Sequence, residues 1–149
     1  MAERMGGGCA CGRVRFEADV ASFDAYLCHC RMCQRASGNV SLAFFNLPQT
    51  DVRWAREPDW YPSSPIAERP FCSGCGTTLG FRFKDGSEKM DLTVASFDEP
   101  GRFKPTAHFG TESMHRAWLN TEGLPEQRSD EYQLLQERWA KAGAAPPAS

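Results

Sequence analysis

The sequence contains no long apolar run. Its 149 residues include no stretch near the roughly 20 apolar residues that a membrane-spanning helix requires. The opening residues MAERMGGG include Glu3 and Arg4 and lack the apolar segment found in secretory signals. We therefore expect a cytoplasmic protein that has no membrane partner.

An excess of one charge sign is also lacking. Lys and Arg number 17 and Asp and Glu 19, for a formal net charge of −2, and the cations are scattered along the chain. A nucleic-acid-binding surface needs a concentrated basic patch, so we expect no nucleic-acid partner. No repeat of solenoid length is present, and a hydrophobic content of 41% suffices for one core, which favours a single domain.

Helical periodicity is scarce, whereas several short segments alternate apolar and polar residues with the period of a β-strand. We predict strands in RVRFEADV, TLGFRFK and MDLTVASF, with shorter strands in SLAFFNL and VRW. The segment EPDWYPSSPIAERP holds four prolines, which disfavour helices and central strands, so we predict a surface loop there. The predicted fold class is therefore mainly β.

One helix is predicted near the C-terminus. Ser129 is a suitable N-cap, acidic residues follow it in the first turn, and Gly143 would end the helix. Its apolar positions recur at i, i+3 and i+7 and predict one apolar face, formed by Tyr132, Leu135 and Trp139. We expect a domain over residues 1–128, a helix over 129–142 packed on or beside it, and a disordered tail over 143–149.

Seven cysteines, an odd number, are the most informative residues of the chain. Disulfides are rare in the cytoplasm, so metal binding is the leading explanation for so many thiols. None of these cysteines is isolated in the sequence. They form three groups, which are Cys9 and Cys11, then Cys28, Cys30 and Cys33, then Cys72 and Cys75.

The CxC pair and the CxxC pair together supply the four thiolates that structural zinc prefers. We call Cys9, Cys11, Cys72 and Cys75 the quartet. Each pair lies among glycines that suit tight turns and precedes an alternating segment, so one metal would join two strand starts far apart in the sequence. The alternative is that these are four ordinary buried thiols. The neighbouring glycines are Gly8, Gly12, Gly74 and Gly76.

The segment CHCRMC brings together Cys28, Cys30 and Cys33, which we call the trio. Zinc with three protein ligands keeps one position open, as catalytic sites do. Three thiolates give the zinc site a net charge of roughly −1, which suits a soft substrate thiol better than hydroxide. Two alternatives stay open: His29 is the fourth ligand and closes the site, or the trio is a redox-sensing or merely buried group of thiols.

The order of these motifs resembles one known family. GGCACGRVRFE, CHCRMCQRASG and FCSGCGTTL occur in that order, followed by DLTVASFDEPGRFKPTAH and a late tryptophan before GLP. This pattern, from about Gly7 to Pro125, resembles the GFA family, which comprises glutathione-dependent formaldehyde-activating enzymes and centromere-protein-V-like relatives. All seven cysteines fall at positions where the family has zinc ligands.

The resemblance implies a fold, two metal sites and a reaction. It implies a β-tent of antiparallel sheets, a structural zinc at the quartet and a catalytic zinc at the trio, hence two zinc ions per chain. It also implies a carbon–sulfur lyase that condenses glutathione with formaldehyde to S-hydroxymethylglutathione. From the three-thiolate site we expect zinc at the trio to hold the thiolate that attacks the formaldehyde carbon. The expected partner is a small thiol such as glutathione, and homo-oligomers stay open.

Four further residues are candidates for contact with a substrate. Gln34, Arg35 and Ser37 follow the trio and match the family's QRxSG run, although Arg35 could equally be solvated and Ser37 could simply form a turn. His108 is a candidate to orient a substrate or donate to it, whereas single histidines such as His108 and His115 are more often surface or packing residues.

Two other functions remain as alternatives. The chain could be a zinc-stabilised binding module without catalysis, whose C-terminal helix and Trp118 contact a partner. It could also be a lyase that acts on a different thiol adduct, with the same metal site and a different pocket. A thiol-dependent change at the second metal distinguishes either enzyme from the binding module.

Overall fold

The structure is a computed structural model that describes residues 1–147. Residues 148 and 149, the end of the predicted tail over 143–149, lie outside the described residues. Within residues 1–147 the chain forms ten β-strands and two α-helices, joined by loops and short 3₁₀ turns. They are β1 (Glu3–Gly8), β2 (Arg15–Val20), β3 (Asp24–Cys28), α1 (Arg31–Ser37), β4 (Leu42–Pro48), β5 (Val52–Trp54), β6 (Asp59–Ser64), β7 (Ala67–Phe71), β8 (Gly80–Phe83), β9 (Lys89–Thr93), β10 (Lys104–Phe109) and α2 (Gln133–Lys141). This mainly β architecture with a helix near the C-terminus confirms the predicted fold class.

The described strands form two sheets. The smaller sheet has the order β1-β2-β5, and the larger has the order β10-β3-β4-β9-β8-β7-β6. Among these strands, neighbours run antiparallel except β10, which lies parallel to β3 at one edge of the larger sheet. The chain reaches β10 by a long connection after β9, and the parallel register places His108 beside Leu27 and Phe109 beside Cys28. The end of β10 therefore lies next to the trio.

The main core lies between the two sheets. Alternate residues of β2 point inward, and Phe16 makes edge-to-face contacts with Trp54 and Phe97 at ring-centre distances of 5.5 and 5.2 Å. Larger-sheet residues such as Phe45 and Leu92, 4% and 0% exposed, complete this core. Burial of apolar area on this scale is the dominant stabilising contribution in a small domain.

The alternating segments form strands as predicted. RVRFEADV supplies β2, TLGFRFK supplies β8, MDLTVASF supplies β9, and SLAFFNL and VRW supply β4 and β5. The strands β2, β8 and β9 are each shorter than the segment that predicted them, whereas β4 and β5 are as long as theirs. Period-two alternation was therefore a reliable indicator of strands in this chain.

The proline-rich segment is not a loop, which corrects the prediction for EPDWYPSSPIAERP. It forms the hairpin of β6 and β7, with β6 at the edge of the larger sheet. Pro62 lies on this edge strand beside an irregularity in the pairing, where a missing N–H costs little. Pro70 contributes its carbonyl, which accepts the N–H of Leu79 at 2.9 Å, so its missing N–H is not needed there.

The chain groups into two compact units, residues 1–115 and 116–149. The first contains both sheets and all seven cysteines. The predicted division into residues 1–128 and a helix over 129–142 stays a prediction. No helix within the described part of the chain is long and apolar enough to cross a membrane.

The helix of the second unit begins later than predicted. Ser129 starts a 3₁₀ turn, and the extended backbone of Tyr132 separates that turn from α2, so Ser129 is not the N-cap of α2. The predicted end is confirmed: Gly143 has a positive φ of +65°, and its N–H donates to the carbonyl of Ala140 at 3.0 Å.

Candidate metal centres

The quartet joins the two sheets. Its first pair follows β1 in the smaller sheet, and its second pair follows β7 in the larger sheet. The four Sγ atoms all lie within 4.8 Å of one another, with Cys11 Sγ 3.5 Å from Cys9 Sγ and 3.7 Å from Cys72 Sγ. Four thiol sulfurs this close together fit one tetrahedral ion such as zinc.

Two similar turns hold the quartet. In each turn the N–H of the first cysteine donates to a carbonyl across the turn, 2.9 Å to Val14 and 3.0 Å to Thr77. Each turn also contains a glycine with positive φ, +80° at Gly12 and +79° at Gly76, a conformation that side chains disfavour. The glycines beside the cysteine pairs thus permit the tight turns that the sequence predicted.

The arginine nearest the quartet is already paired. Arg13 Nη1 lies 3.9 Å from Cys72 Sγ, but it also forms a 2.8 Å ion pair with Asp59. Hydrogen bonds from Arg13 and from the backbone N–H of Ser73 lower the pKa of Asp59 to about 2. The positive charge of Arg13 is therefore balanced by a carboxylate and not only by the thiols.

The trio lies where β3 gives way to α1. Cys28 ends the strand, Cys30 is the N-cap of the helix, and Cys33 lies in its first turn. Cys30 Sγ accepts a hydrogen bond from the N–H of Cys33 at 3.3 Å, in the way a capping side chain does. The three Sγ atoms lie within 4.8 Å of one another. The strand end and the helix start thus bring the trio together.

The trio lies in a buried apolar cluster. Cys28 and Cys33 are each 4% exposed and pack against Phe44. The partly buried members of the same cluster are Tyr26, Cys30, Leu42 and Phe81. One cation reaches into it, since Arg69 Nη2 donates to Cys33 Sγ over 3.3 Å.

Two thiols of the trio have pKa values shifted in opposite directions. A hydrogen bond from Cys28, with a further contribution from the guanidinium of Arg69, holds the pKa of Cys33 well below its usual range. The pKa of Cys28 is raised because of that hydrogen bond and because of burial. Cys33 is therefore the thiol most readily held as a thiolate, which is the form that binds metal.

Gln34 ties together the segments around the trio. Its Nε2 lies 2.8 Å from the carbonyl of His29, 3.1 Å from that of Val40 and 3.0 Å from that of Ser113. Its Oε1 accepts a hydrogen bond from Arg31. Gln34 thus connects the residues before and after α1 with the turn that follows β10, and a contact with substrate stays a prediction.

Arg35 and Ser37 occupy different surroundings. Arg35 is exposed, and its side chain forms no hydrogen bond or ion pair with any other residue that the structure describes. Ser37 Oγ donates to the carbonyl of Cys33 at 2.8 Å and accepts the N–H of Asn39 at 3.2 Å, so it helps to end α1. A substrate contact at either residue stays a prediction.

The two histidines nearest the trio contact each other. His29 is 1% exposed, and its Nε2 lies 2.9 Å from Nδ1 of the exposed His108. The mutually close ligand atoms of the trio are the three Sγ atoms, so the structure pairs His29 with His108 and does not group it with the trio. The third histidine, His115, is exposed.

The turn after β10 presses against the trio. Phe109 accepts the N–H of His29 at 2.8 Å, and the next residue, Gly110, has a positive φ of +69°. A Cβ at Gly110 would lie 2.8 Å from the backbone nitrogen of Cys30, a distance that real Cβ atoms essentially never show. This close approach requires glycine and fixes the turn against the N-cap of α1.

Sequence reasoning missed the polar residues beneath the trio. Arg69 lies on β7, in the segment predicted to be a loop, and Asp91 lies on β9. Asp91 is 7% exposed, burial raises its pKa, and it accepts a hydrogen bond from Asn46 at 3.0 Å. Burial and the neighbouring Asp91 raise the pKa of Tyr26. If β7 had been predicted as a strand, its alternation of buried and partly buried positions would have indicated that Arg69 is buried.

Known proteins resemble this chain in sequence. A sequence model of the family described as "glutathione-dependent formaldehyde-activating enzyme" matches residues 4–113, a range that contains both cysteine clusters. A Schizosaccharomyces pombe protein named an uncharacterized lyase is 32% identical over 91 residues, which cover 61% of this chain and 66% of that protein. The match therefore spans just under two thirds of the relative.

A solved structure shares the fold. The crystal structure of a Rhodobacter sphaeroides protein superimposes with a TM-score of 0.55 at 24% identity, over 68% of this chain and 100% of that chain. At this identity the likeness concerns the fold alone. The family match covers most of the chain and both cysteine clusters, and the chain belongs to the glutathione-dependent formaldehyde-activating enzyme (GFA) family.

Proposed function

We propose that this protein is a carbon–sulfur lyase of the GFA type, which joins glutathione or a related thiol to formaldehyde and catalyses the reverse reaction. Membership of the family and the lyase name of the Schizosaccharomyces pombe relative support this class of reaction. The observation that carries the proposal is the trio, which gathers three thiols and leaves room in the ligand set for one more.

The donor sets of both clusters fit zinc. Thiolate sulfur is a preferred ligand of zinc, four thiols complete a structural site, and three leave an exchangeable position. The mutual spacing of the Sγ atoms, at most 4.8 Å in each cluster, allows each set to bind one ion. Two zinc ions per chain are therefore part of the proposal, with the quartet structural and the trio catalytic.

The proposed reaction forms one bond and protonates one oxygen. The thiolate sulfur of the substrate attacks the formaldehyde carbon, the C–S bond forms, and the electron pair of the C=O double bond moves to oxygen. The proton that the thiol releases passes through water to this oxygen, which becomes a hydroxyl group. Zinc bound by the trio would supply a Lewis acid that favours the deprotonated form of a substrate thiol at neutral pH.

The residues of this chain bind and orient the reactants. The trio holds the metal, and the apolar cluster around it limits the access of water. Gln34 fixes the segments on either side of α1, so the ligand geometry is set before substrate arrives. We propose that Arg35 binds a carboxylate of glutathione, since it is exposed and carries no ion pair among residues 1–147. His108, which is exposed and contacts His29, is a second proposed polar contact for the substrate.

The proposed partner is thus a small thiol. We propose no nucleic-acid partner, because the cations are scattered along the chain, and no membrane partner. A cytoplasmic location is proposed because free thiols and glutathione are abundant in that compartment.

The experiment measures exchange and not yield, because glutathione and formaldehyde combine without an enzyme. Exchange NMR gives the rate at which free and glutathione-bound formaldehyde interconvert at equilibrium, with and without the zinc-loaded protein. We expect the largest acceleration at and below neutral pH, where a free thiol with a pKa of about 8.5 is mostly protonated. The gain should shrink as the pH rises above that value.

Two variants complete the test. Cys28→Ser should abolish the acceleration, and Arg128→Ala, at an exposed residue of the second unit, should leave it unchanged. If the protein containing both metals exchanges formaldehyde no faster than buffer, the proposed substrate pair is wrong. A thiol-induced change at the trio metal would then favour a lyase for another thiol adduct, and its absence would favour the binding module.

A further inference from the structure

Arg69 is the largest fully buried side chain described in the structure. It lies on β7 with 2% of its surface exposed. Its Nη2 donates to Cys33 Sγ over 3.3 Å, and its guanidinium lies 5.0 Å from the ring centre of Phe81. The guanidinium is therefore part of the apolar cluster that contains the trio.

The other nitrogens of Arg69 are not satisfied by the protein. Nε and Nη1 are buried and have no hydrogen-bond partner among the described residues. No carboxylate in the described chain lies within ion-pair distance of the guanidinium. Asp91 interacts with Arg69 only through longer-range Coulombic attraction, and its hydrogen bonds are with Asn46 and Tyr26. A buried charge without a directly paired carboxylate is strongly unfavourable, so negative charge on the sulfur that Arg69 contacts would stabilise it.

The loaded trio supplies such a charge. A divalent ion with three thiolates carries one net negative charge, and a bound substrate thiolate would add a second. In an apolar cluster that charge is costly, because little water is present to solvate it. One guanidinium that contacts a ligand sulfur cancels the charge of the resting site and halves that of the thiol-bound site.

We propose that Arg69 is a positioning residue of the trio, which provides the counter-charge that allows three thiolates to hold a divalent metal in an apolar environment. It acts through Cys33 and does not itself touch the substrate. This inference rests on the proposed function, because it assumes that the trio binds a metal.

Arg13 provides a matched comparison within the same chain. Its guanidinium also contacts a cysteine sulfur, but at 3.9 Å and with a side chain that is 34% exposed and paired to Asp59. Arg82 provides a second comparison, since it pairs with Glu68 and stacks on Trp60 without contacting either cysteine cluster. If a buried counter-charge determines metal affinity, replacing Arg69 should lower the affinity of a cysteine cluster strongly, and replacing Arg13 or Arg82 should not.

The experiment measures zinc affinity and not activity. Zinc affinity of each cluster is measured by competition with a chelator in the wild type, Arg69→Met, Arg13→Met and Arg82→Met. We expect Arg69→Met to weaken zinc binding at the trio by about 10- to 100-fold, the usual effect of removing a partner of a metal ligand. Binding at the quartet should be unchanged in Arg69→Met, and binding at the trio should be unchanged in the other two variants.

A spectroscopic readout separates this role from a purely structural one. Cobalt(II) in the trio gives sulfur-to-metal charge-transfer bands, and a hydrogen bond to a ligand sulfur raises their energy by stabilising the sulfur electrons. We expect these bands to move to lower energy in Arg69→Met. Arg69→Lys keeps the charge and should restore part of the zinc affinity.

The outcomes separate the inference from the proposed function. If the wild-type trio takes up no zinc or cobalt, both are wrong. If the wild-type trio binds metal and Arg69→Met binds it equally well with unchanged bands, only the role of Arg69 is overturned. If Arg69→Met does not fold, Arg69→Gln removes the charge but keeps an N–H donor, and wild-type affinity in that variant overturns the inference.

Discussion

The two cysteine clusters use the same ligand but differ in ligand number, burial and charge balance. The quartet has four thiols in two turns, with Cys11 and Cys75 exposed, and its nearest arginine is paired with a carboxylate. The trio has three thiols, with Cys28 and Cys33 buried beside Arg69. Four ligands complete the coordination of a metal, so a quartet metal serves to join the sheets. Three ligands leave one position for a substrate. Because the trio is buried, its charge must be balanced by a protein side chain and not by water.

The largest expected effect separates stability from chemistry. Cys72→Ser should abolish the cooperative thermal transition, because a structural zinc contributes roughly 10–16 kcal/mol of apparent binding free energy, about as much as the whole stability of a domain. Cys30→Ser should keep a cooperative transition, since the trio lies at the end of β3 and the start of α1 and does not join the two sheets. Thermal melts of both variants decide it. Should Cys30→Ser unfold as readily as Cys72→Ser, the division of roles is wrong.

Metal removal should sharpen the same comparison. Protein prepared without chelator should contain two zinc ions per chain, and a mild chelator should remove one, because the open position of the trio admits a chelator atom before any thiol is released. Metal analysis before and after dialysis measures this. Cys30→Ser protein should have no chelator-labile zinc. Less than one zinc per chain in untreated protein, or loss of the quartet metal first, would contradict the account.

A smaller effect is expected where the backbone presses on the trio. In Gly110→Ala, the new Cβ would meet the backbone of Cys30, so the N-cap must move and zinc affinity at the trio should fall by about tenfold. Gly86→Ala is the matched control, because Gly86 has a similar positive φ of +83° but nothing within 4 Å of its Cβ position. Equal zinc affinities in the two variants would show that the turn after β10 does not fix the trio.

The smallest effect concerns an ion pair outside both clusters. Hydrogen bonds from Arg53, at 2.7 and 2.8 Å, lower the pKa of Asp19. The unfolded-state pKa of an aspartate is about 3.9, and the folded-state pKa of Asp19 is lower. The ion pair therefore stabilises the fold fully above a pH of about 3.9, and this stabilisation is lost as the pH falls through the folded-state pKa. The melting temperature of Asp19→Asn should therefore lie slightly below that of the wild type at pH 6. The difference should vanish in strong acid, and a difference that persists there would exclude this cause.

The sequence predicted the two cysteine clusters better than it predicted their surroundings. Cysteine spacing is a local signal. CxC, CxxC and CHCRMC each lie within one turn or one helix start, so the cysteines of each motif are close in the sequence and in the structure. Alternation likewise predicted β2, β8 and β9, because a strand with one buried face needs it. These features depend on neighbours in the sequence.

The missed features depend on neighbours in space. The hairpin of β6 and β7 was predicted to be a loop because its prolines disfavour a central strand, yet Pro62 falls on a sheet edge and Pro70 uses only its carbonyl. The short helix α1 was not predicted, since seven residues carry little periodicity and its N-cap is a cysteine. Arg69 was missed for the same reason as β7: its burial arises from β7 packing beneath the trio, a contact 36 residues apart in the chain.

The central claim is that the trio, and not the quartet, binds a substrate thiol. The most direct test loads the trio with cobalt(II), keeps zinc in the quartet, and follows the cobalt absorption spectrum during titration with glutathione. The account predicts a saturable change that S-methylglutathione, which lacks a free thiol, does not produce, and that is absent in Cys28→Ser. A spectrum that glutathione leaves unchanged, in protein shown to hold both metals, would contradict the claim.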